Sequence, residues 1–69
     1  MIALVGYGYW GRNLARVFSD KITHIVDKEE DNLNKAKHLY GSRFNYDVSL
    51  TNVLEYNKDV KAVLIATKP

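Results

Sequence analysis

The chain contains apolar runs that predict strands, separated by segments whose apolar residues recur at helical spacing. Residues 2–5 are apolar without a break, as expected for a strand that is buried on both faces of a sheet. Residues 22–26 and 60–66 predict two further strands, and residues 43–46 predict a short and weaker one. The pattern therefore predicts four strands.

Three helices are predicted between these strands. The first covers residues 10–19, and the second begins in the acidic segment 28–31, where the helix dipole favours negative charge. The third helix follows a cap at Asp47 or Ser49. The predicted apolar stripes are Trp10, Leu14, Val17 and Phe18; Leu33, Ala36, Leu39 and Tyr40; and Leu50, Val53, Leu54 and Tyr56.

The alternation of strands and helices predicts the topology. Right-handed crossovers between successive strands give a parallel sheet. We expect an α/β fold of the Rossmann type, with strand order 3-2-1-4 and helices on both faces. The chain reverses direction across the sheet at the first strand, and open parallel sheets bind ligands at such a reversal, beyond the carboxyl ends of the strands.

The last predicted strand would leave an apolar edge of the sheet open. Residues 62–66 are all apolar, and a parallel strand of this kind needs cover on both faces and usually a neighbour on each edge. We therefore expect residues 1–69 to be part of a larger domain, or to have this edge filled by a partner. In isolation they should self-associate or be partly unfolded.

Composition excludes several classes of function. The chain has 69 residues, enough for one small domain, and its 46% hydrophobic and 26% charged residues are ordinary for a globular protein. A net charge of +2, with scattered basic residues, does not favour nucleic-acid binding. The absence of cysteine excludes disulfides and thiolate metal sites and fits the cytoplasm. The apolar runs are too short for a signal peptide or a membrane helix.

The segment directly after the first strand carries glycines in the spacing G-x-G-x-x-G. Gly6 allows a sharp turn out of the strand, Gly8 leaves the backbone bare for a pyrophosphate, and Gly11 lets the helix pack closely on the strand. The first amides of that helix have no intrahelical acceptors and favour an anion. The spacing therefore predicts a dinucleotide phosphate site.

One acidic residue supports this interpretation. Asp27 lies 19 positions after Gly8 and closes the second predicted strand, where a carboxylate can bind the ribose hydroxyls of a dinucleotide. Because a carboxylate repels a 2′-phosphate, NAD is favoured over NADP, although the neighbouring Lys28 could pair with that phosphate. A flavin or S-adenosylmethionine, which suit the same carboxylate, stay as alternative ligands.

Two segments carry a family resemblance. The segment G-Y-G-Y-W-G-R-N-L-A-R at residues 6–16 resembles the glucose–fructose oxidoreductase / inositol dehydrogenase family (Gfo/Idh/MocA), most of all its members that oxidise nucleotide-linked sugars. The segment A-V-L-I-A-T at residues 62–67, followed by Pro69, is similar to that family's fourth strand and A-T-x-P segment. The resemblance implies an NAD(P)-dependent oxidoreductase that transfers hydride at a sugar, nucleotide-sugar or cyclitol hydroxyl.

The resemblance also implies which residues hold the cofactor. Tyr9 and Trp10 would supply backbone amides to the phosphate turn, and Asp27 would take the ribose hydroxyls. Thr67 and Pro69 would line the cleft near the nicotinamide. The complete expected set is Gly6, Gly8, Tyr9, Trp10, Gly11, Asp27, Thr67 and Pro69. Residues 1–69 would then be the N-terminal part of a dinucleotide-binding domain, without the substrate domain.

No catalytic or metal-binding residue is assigned. The family's catalytic lysine lies in an E-K-P motif after a fifth strand, and its aspartate and histidine lie in the second domain. Lys68 precedes a proline but follows Thr67 and the wrong strand. Catalysis is therefore expected only of the full-length parent, a cytoplasmic homo-oligomer that acts on a sugar or nucleotide sugar. The alternative is a non-catalytic nucleotide-binding module, such as a sensor of NAD and NADH.

Overall fold

The computed structural model describes residues 1–67, in which strands and helices alternate. Its elements are β1 (Ile2–Val5), α1 (Tyr9–Val17), β2 (Ile22–Val26), α2 (Glu30–Tyr40), a turn of 3-10 helix (Gly41–Arg43), β3 (Asn45–Asp47), α3 (Leu50–Tyr56) and β4 (Ala62–Ile65). The strands are all parallel and follow the order β3-β2-β1-β4. The predicted α/β class, parallel sheet and strand order are confirmed.

The helices cover both faces of the sheet. The larger core, beneath α1 and α2, consists of Leu4, Tyr7, Ala15, Ile22, Ile25, Leu33, Ala36 and Phe44. The smaller core, on the side of α3, consists of Ala3, Val26 and Val53. Ala3 and Leu4, which are neighbours in β1, belong to different cores because successive strand residues point to opposite faces. The central strand is therefore buried on both sides, as its continuous apolar run predicts.

Several predicted boundaries shift by one or two residues. The helix predicted at 10–19 begins at Tyr9 and ends at Val17, where the Phe18 N–H donates to the Leu14 carbonyl. The strand predicted at 60–66 is limited to Ala62–Ile65. The strand predicted at 43–46 begins two residues later and ends one residue later, because a turn of 3-10 helix follows α2 directly.

The predicted apolar stripe of α1 is wrong. Trp10 and Val17 are 68% and 64% exposed, whereas Gly11 and Ala15 form the buried face. Only Leu14 of the predicted stripe packs against the larger core, as a half-buried residue. A hydrophobic periodicity gives most weight to large side chains, but a helix that lies very close to a sheet buries its small ones. The large residues of α1 are thus left on the outer surface.

Strand β2 contains an irregularity that the alternating pattern does not predict. Thr23 is an extra residue, because the partners of Ile22 and His24 in β1 are consecutive. Ile22 therefore lies in the same core as Ile25. Strict alternation along β2 would place Ile22 on the face of His24 and Val26, and the extra residue moves it to the opposite face. His24 itself is 4% exposed, and its Nδ1 lies 2.8 Å from the Thr23 hydroxyl.

Strand β4 forms one edge of the described sheet. Within residues 1–67 it pairs only with β1, in a regular parallel register. Ile65 is 70% exposed, and Val63 and Leu64 are only partly buried. This apolar edge is the basis for the expected self-association, which stays a prediction. In the same part of the chain, no helix has the length and apolar character needed to cross a membrane.

Candidate functional site

The glycine turn leaves β1 at the carboxyl end of the sheet, and its first glycine is required by the fold. Gly6 has φ = +101°, a conformation that L side chains rarely adopt. Its N–H donates to the Val26 carbonyl at 2.7 Å. A Cβ atom at this position would lie 3.0 Å from the carbonyl carbon of Ala66, at the end of β4. Gly6 therefore occupies the narrow space between β2 and β4.

The third glycine is required by the contact between α1 and this turn. A Cβ atom on Gly11 would overlap the carbonyl oxygen of Gly6 and lie 2.7 Å from its carbonyl carbon. The neighbouring atoms are backbone, so they cannot turn aside as a flexible side chain would. The role predicted for Gly11, close packing of the helix, agrees with this geometry.

Gly8, in contrast, is not required by any contact within the chain. It is exposed and precedes α1 with φ = −81° and ψ = −151°, in the extended region. Apart from Gly8 itself and its two chain neighbours, no residue of the described chain would have an atom within 4 Å of a Cβ atom there. A bare backbone at this place leaves room for a ligand that approaches the turn from outside.

The amides at the start of α1 are available to such a ligand. The first intrahelical hydrogen bond joins the Arg12 N–H to the Gly8 carbonyl at 2.9 Å, so the amides of Tyr9, Trp10 and Gly11 precede the helical ladder. No side chain caps this end, and the first turn contains no acidic residue. The unpaired amides and the helix dipole together favour a bound anion.

Asp27 is held against the glycine turn. Asp27 is 8% exposed, and its Oδ2 accepts a hydrogen bond from the Tyr7 N–H at 2.8 Å. Its Oδ1 accepts from the Glu29 N–H at 2.8 Å, which fixes the carboxylate at the start of α2. The structure thus brings together the two features, turn and carboxylate, that the sequence predicts as parts of one site.

Two contacts of Asp27 are missed by sequence reasoning. Asn32 donates from Nδ2 to Asp27 Oδ2 at 3.1 Å, and the backbone of Tyr7 makes the bond described above. An amide side chain in the first turn of a helix, five residues after a strand-ending aspartate, is a signal for the first contact. The second depends on the turn conformation, which the sequence does not specify. With three donors bound, a carboxylate with about four acceptor positions keeps about one for a ligand.

The remaining expected residues lie at the same end of the sheet or outside the described part. The backbone nitrogen of Thr67 lies 3.1 Å from the Cβ position of Gly6, and its side chain is exposed. Lys28 is exposed beside Asp27. Pro69 lies outside the described residues. Within residues 1–67, no cluster of three or more His, Asp or Glu side chains is suited to a metal ion.

Comparison with known proteins does not identify the chain. No protein-family model matches it, and neither a curated protein nor a solved structure does. The site itself consists of an open turn at an uncapped helix start and, beside it, a fixed carboxylate that can accept a hydrogen bond from a hydroxyl group.

Proposed function

We propose that this chain binds NAD, with the pyrophosphate on the turn at residues 6–11 and the adenosine ribose at Asp27. One observation carries the proposal. The Tyr7 N–H, inside the turn, donates to Asp27 Oδ2 at 2.8 Å. The group that suits a phosphate and the group that suits a ribose are therefore adjacent, as two neighbouring parts of one dinucleotide require.

The phosphate part of the proposal is supported by the open space at Gly8. Beyond Gly8 and its two chain neighbours, no described residue has an atom within 4 Å of the Cβ position there. The amides of Tyr9 and Trp10 would donate to the pyrophosphate oxygens, and the dipole of α1 would add to the attraction. The Tyr9 and Trp10 rings are exposed and meet edge to face with centroids 5.3 Å apart.

The ribose part favours NAD over NADP. Asp27 would accept a hydrogen bond from a ribose hydroxyl, whereas a 2′-phosphate would place negative charge beside its carboxylate. Because three donors already bind Asp27, the carboxylate cannot easily turn away from that phosphate. Lys28 is exposed and follows Asp27 in sequence, and its positive charge could offset the repulsion, so NADP is the second choice.

For the parent protein we propose an NAD(P)-dependent oxidoreductase that acts on a sugar, nucleotide-sugar or cyclitol hydroxyl. This proposal depends on the resemblance of residues 6–16 and 62–67 to the Gfo/Idh/MocA family. When bound, the nicotinamide would accept or donate the hydride. The residues of this chain would hold the adenosine and phosphate half, and Thr67 would lie near the nicotinamide half. No group in the chain is assigned to acid–base chemistry, so that role belongs to other parts of the parent.

The binding proposal is tested by titrating NAD and following tryptophan fluorescence. Trp10 is the single tryptophan of the chain and belongs to the first turn of α1, so the signal reports on the phosphate turn alone. We expect a saturable change in its emission with NAD and a weaker response with NADP. An emission that stays constant up to millimolar NAD would contradict the proposal.

A further inference from the structure

A groove of about 500 Å³ lies between α1 and the C-terminal end of α2. It borders the glycine turn through Tyr7 and Tyr9, but neither Gly8 nor Asp27 lines it. Its volume is within the range of small-molecule sites. The groove therefore adjoins the site proposed for NAD and shares Tyr7 and Tyr9 with it, but its other lining residues lie along α1 and at the end of α2.

Two arginines of α1 line this groove, and none of its lining residues is acidic. Arg16 donates from Nη2 to Asn13 Oδ1 at 3.0 Å, and Asn13 donates from Nδ2 to the Tyr9 carbonyl at 3.0 Å. This chain of hydrogen bonds holds the Arg16 guanidinium along α1. Arg12 lies one helical turn earlier on the same side. Because no carboxylate lines the groove, the two guanidinium groups favour the binding of an anionic ligand.

The hydroxyl of Tyr7 adds a third hydrogen-bond donor to the two arginines. Tyr7 is 2% exposed, and within residues 1–67 its one bond to a side chain is made by its backbone N–H, to Asp27. Arg12 and Tyr40, which line the groove together with Tyr7, are close enough to its hydroxyl to act on the pKa of Tyr7, so the hydroxyl lies on the side of the groove.

The Tyr7 hydroxyl carries its proton at neutral pH, which is the state that can donate a hydrogen bond. Burial, and next the neighbouring Tyr40, raise the pKa of Tyr7 above its ordinary value, and the Arg12 guanidinium opposes this only in part. The hydroxyl is therefore protonated throughout the neutral range and can donate to an anionic oxygen.

The other walls of the groove are apolar or aromatic. Leu39 is 68% exposed and lines the groove together with the ring of Tyr40. The exposed Tyr9 ring borders it on the side of α1. A planar ring would cover these surfaces, whereas a small inorganic anion would leave them in contact with water.

We propose that this groove binds an aromatic phosphate monoester. The phosphate would lie between Arg12 and Arg16 and accept from the Tyr7 hydroxyl, and the ring would pack on Leu39 and Tyr40. A phosphate monoester carries close to two negative charges at neutral pH, which matches two guanidiniums better than a carboxylate does.

Phenyl phosphate is the probe for this proposal, and its affinity for the 69-residue chain is measured by titration calorimetry. We expect Arg16→Gln and Arg12→Gln each to weaken binding by about tenfold, since each removes a charge-assisted hydrogen bond. Tyr7→Phe should weaken it by about threefold to tenfold, because only a neutral donor is lost. Inorganic phosphate should bind more weakly than phenyl phosphate.

The matched control is Arg43→Gln, which removes an exposed arginine that donates to the Ser19 carbonyl and does not line the groove. This variant should bind phenyl phosphate as the wild type does. An equal loss with Arg43→Gln and Arg16→Gln would overturn the proposal, because it would indicate attraction to positive charge in general. Far-UV circular dichroism of each variant confirms that the fold is kept.

A second pair of variants separates this groove from the glycine turn. Gly8→Val should leave phenyl phosphate affinity unchanged, and Arg16→Gln should leave NAD affinity unchanged. If Gly8→Val abolished phenyl phosphate binding and Arg16→Gln did not, the phosphate would be on the turn and the groove proposal would be wrong. The test against Arg43→Gln stays valid even if the chain does not bind NAD.

Discussion

The β1–α1 and β3–α3 junctions, which lie at the same end of the sheet, differ in how their backbone amides are paired. Between β3 and α3, Asp47 Oδ1 accepts from the Ser49 N–H at 2.9 Å, and Ser49 Oγ accepts from the Asn52 N–H at 3.2 Å. Between β1 and α1, no side chain caps the helix, and its first turn has no acidic residue. The β3–α3 junction pairs two of its amides with its own side chains, whereas the β1–α1 junction provides no side-chain acceptor for the first-turn amides of its helix.

The junction between β2 and α2 pairs one of its own amides and also contacts the open β1–α1 junction. Asp27 accepts from the amide two residues later, Glu29, as Asp47 does from Ser49. Its other oxygen instead reaches the neighbouring junction and accepts from the Tyr7 N–H. An aspartate at the end of a strand is therefore not by itself a sign of a ligand site. What distinguishes Asp27 from Asp47 is its contact with an open turn.

The largest expected effect on stability is that of Gly11→Ala, which tests how closely α1 lies on the open turn. The added Cβ would overlap the Gly6 carbonyl oxygen. We expect a destabilisation of more than about 4 kcal/mol, which would unfold a domain of ordinary stability and is measured by far-UV circular dichroism. Gly8→Ala is the control and should be folded. A Gly11→Ala variant as well folded as Gly8→Ala would show that the contact is not tight.

A smaller loss of stability is expected for Asp27→Ser, compared with Asp47→Ser. The first change leaves the amide of Tyr7 without its buried acceptor, at a cost of about 1 to 3 kcal/mol. Asp47→Ser removes one hydrogen bond at a half-buried position and should cost about 1 kcal/mol or less. Urea denaturation measures both, and equal losses would remove the distinction between the two aspartates.

The variants Asp27→Ser and Asp47→Ser should also differ in their preference between NAD and NADP. Asp27→Ser should raise the affinity for NADP relative to NAD, because the repulsion of a 2′-phosphate is lost. Asp47→Ser should leave that ratio as in the wild type. The ratio is measured by parallel fluorescence titrations, and an unaltered ratio in Asp27→Ser would mean that Asp27 does not contact the ribose.

The smallest expected effect is that of Ser49→Ala at the closed junction. Loss of the Ser49 hydroxyl removes the cap of α3 and should cost about 1 kcal/mol. NAD affinity should not change, since this cap lies outside the proposed site. A marked loss of NAD affinity in this variant would contradict the division between open and closed junctions.

The topology of this chain is predictable because each strand and helix has a distinct local pattern. The continuous run in β1, the glycine spacing after it and the cap before α3 are all readable in sequence. The right-handed crossover rule applied to these alternating elements then predicts the order of the sheet, which the structure confirms. The closeness of Gly6 and Gly11 is also implied, because both glycines are required by backbone contacts.

The missed features depend on distances between elements, which no local pattern contains. The buried face of α1 consists of Gly11 and Ala15 because the helix lies close to the sheet, and periodicity favours Trp10 and Val17 instead. The bond from Asn32 to Asp27 depends on the angle at which α2 leaves β2. The extra residue Thr23 in β2 likewise follows from pairing with β1.

The most direct test of the account compares NAD binding by the wild type and by Gly8→Val. Gly8 is in the extended region and has no neighbour within 4 Å of its Cβ position, so valine should be accommodated and circular dichroism should not change. The account predicts saturable NAD binding by the wild type and none by Gly8→Val, because the side chain would occupy the place of the pyrophosphate. A folded Gly8→Val chain that binds NAD as tightly as the wild type would contradict it.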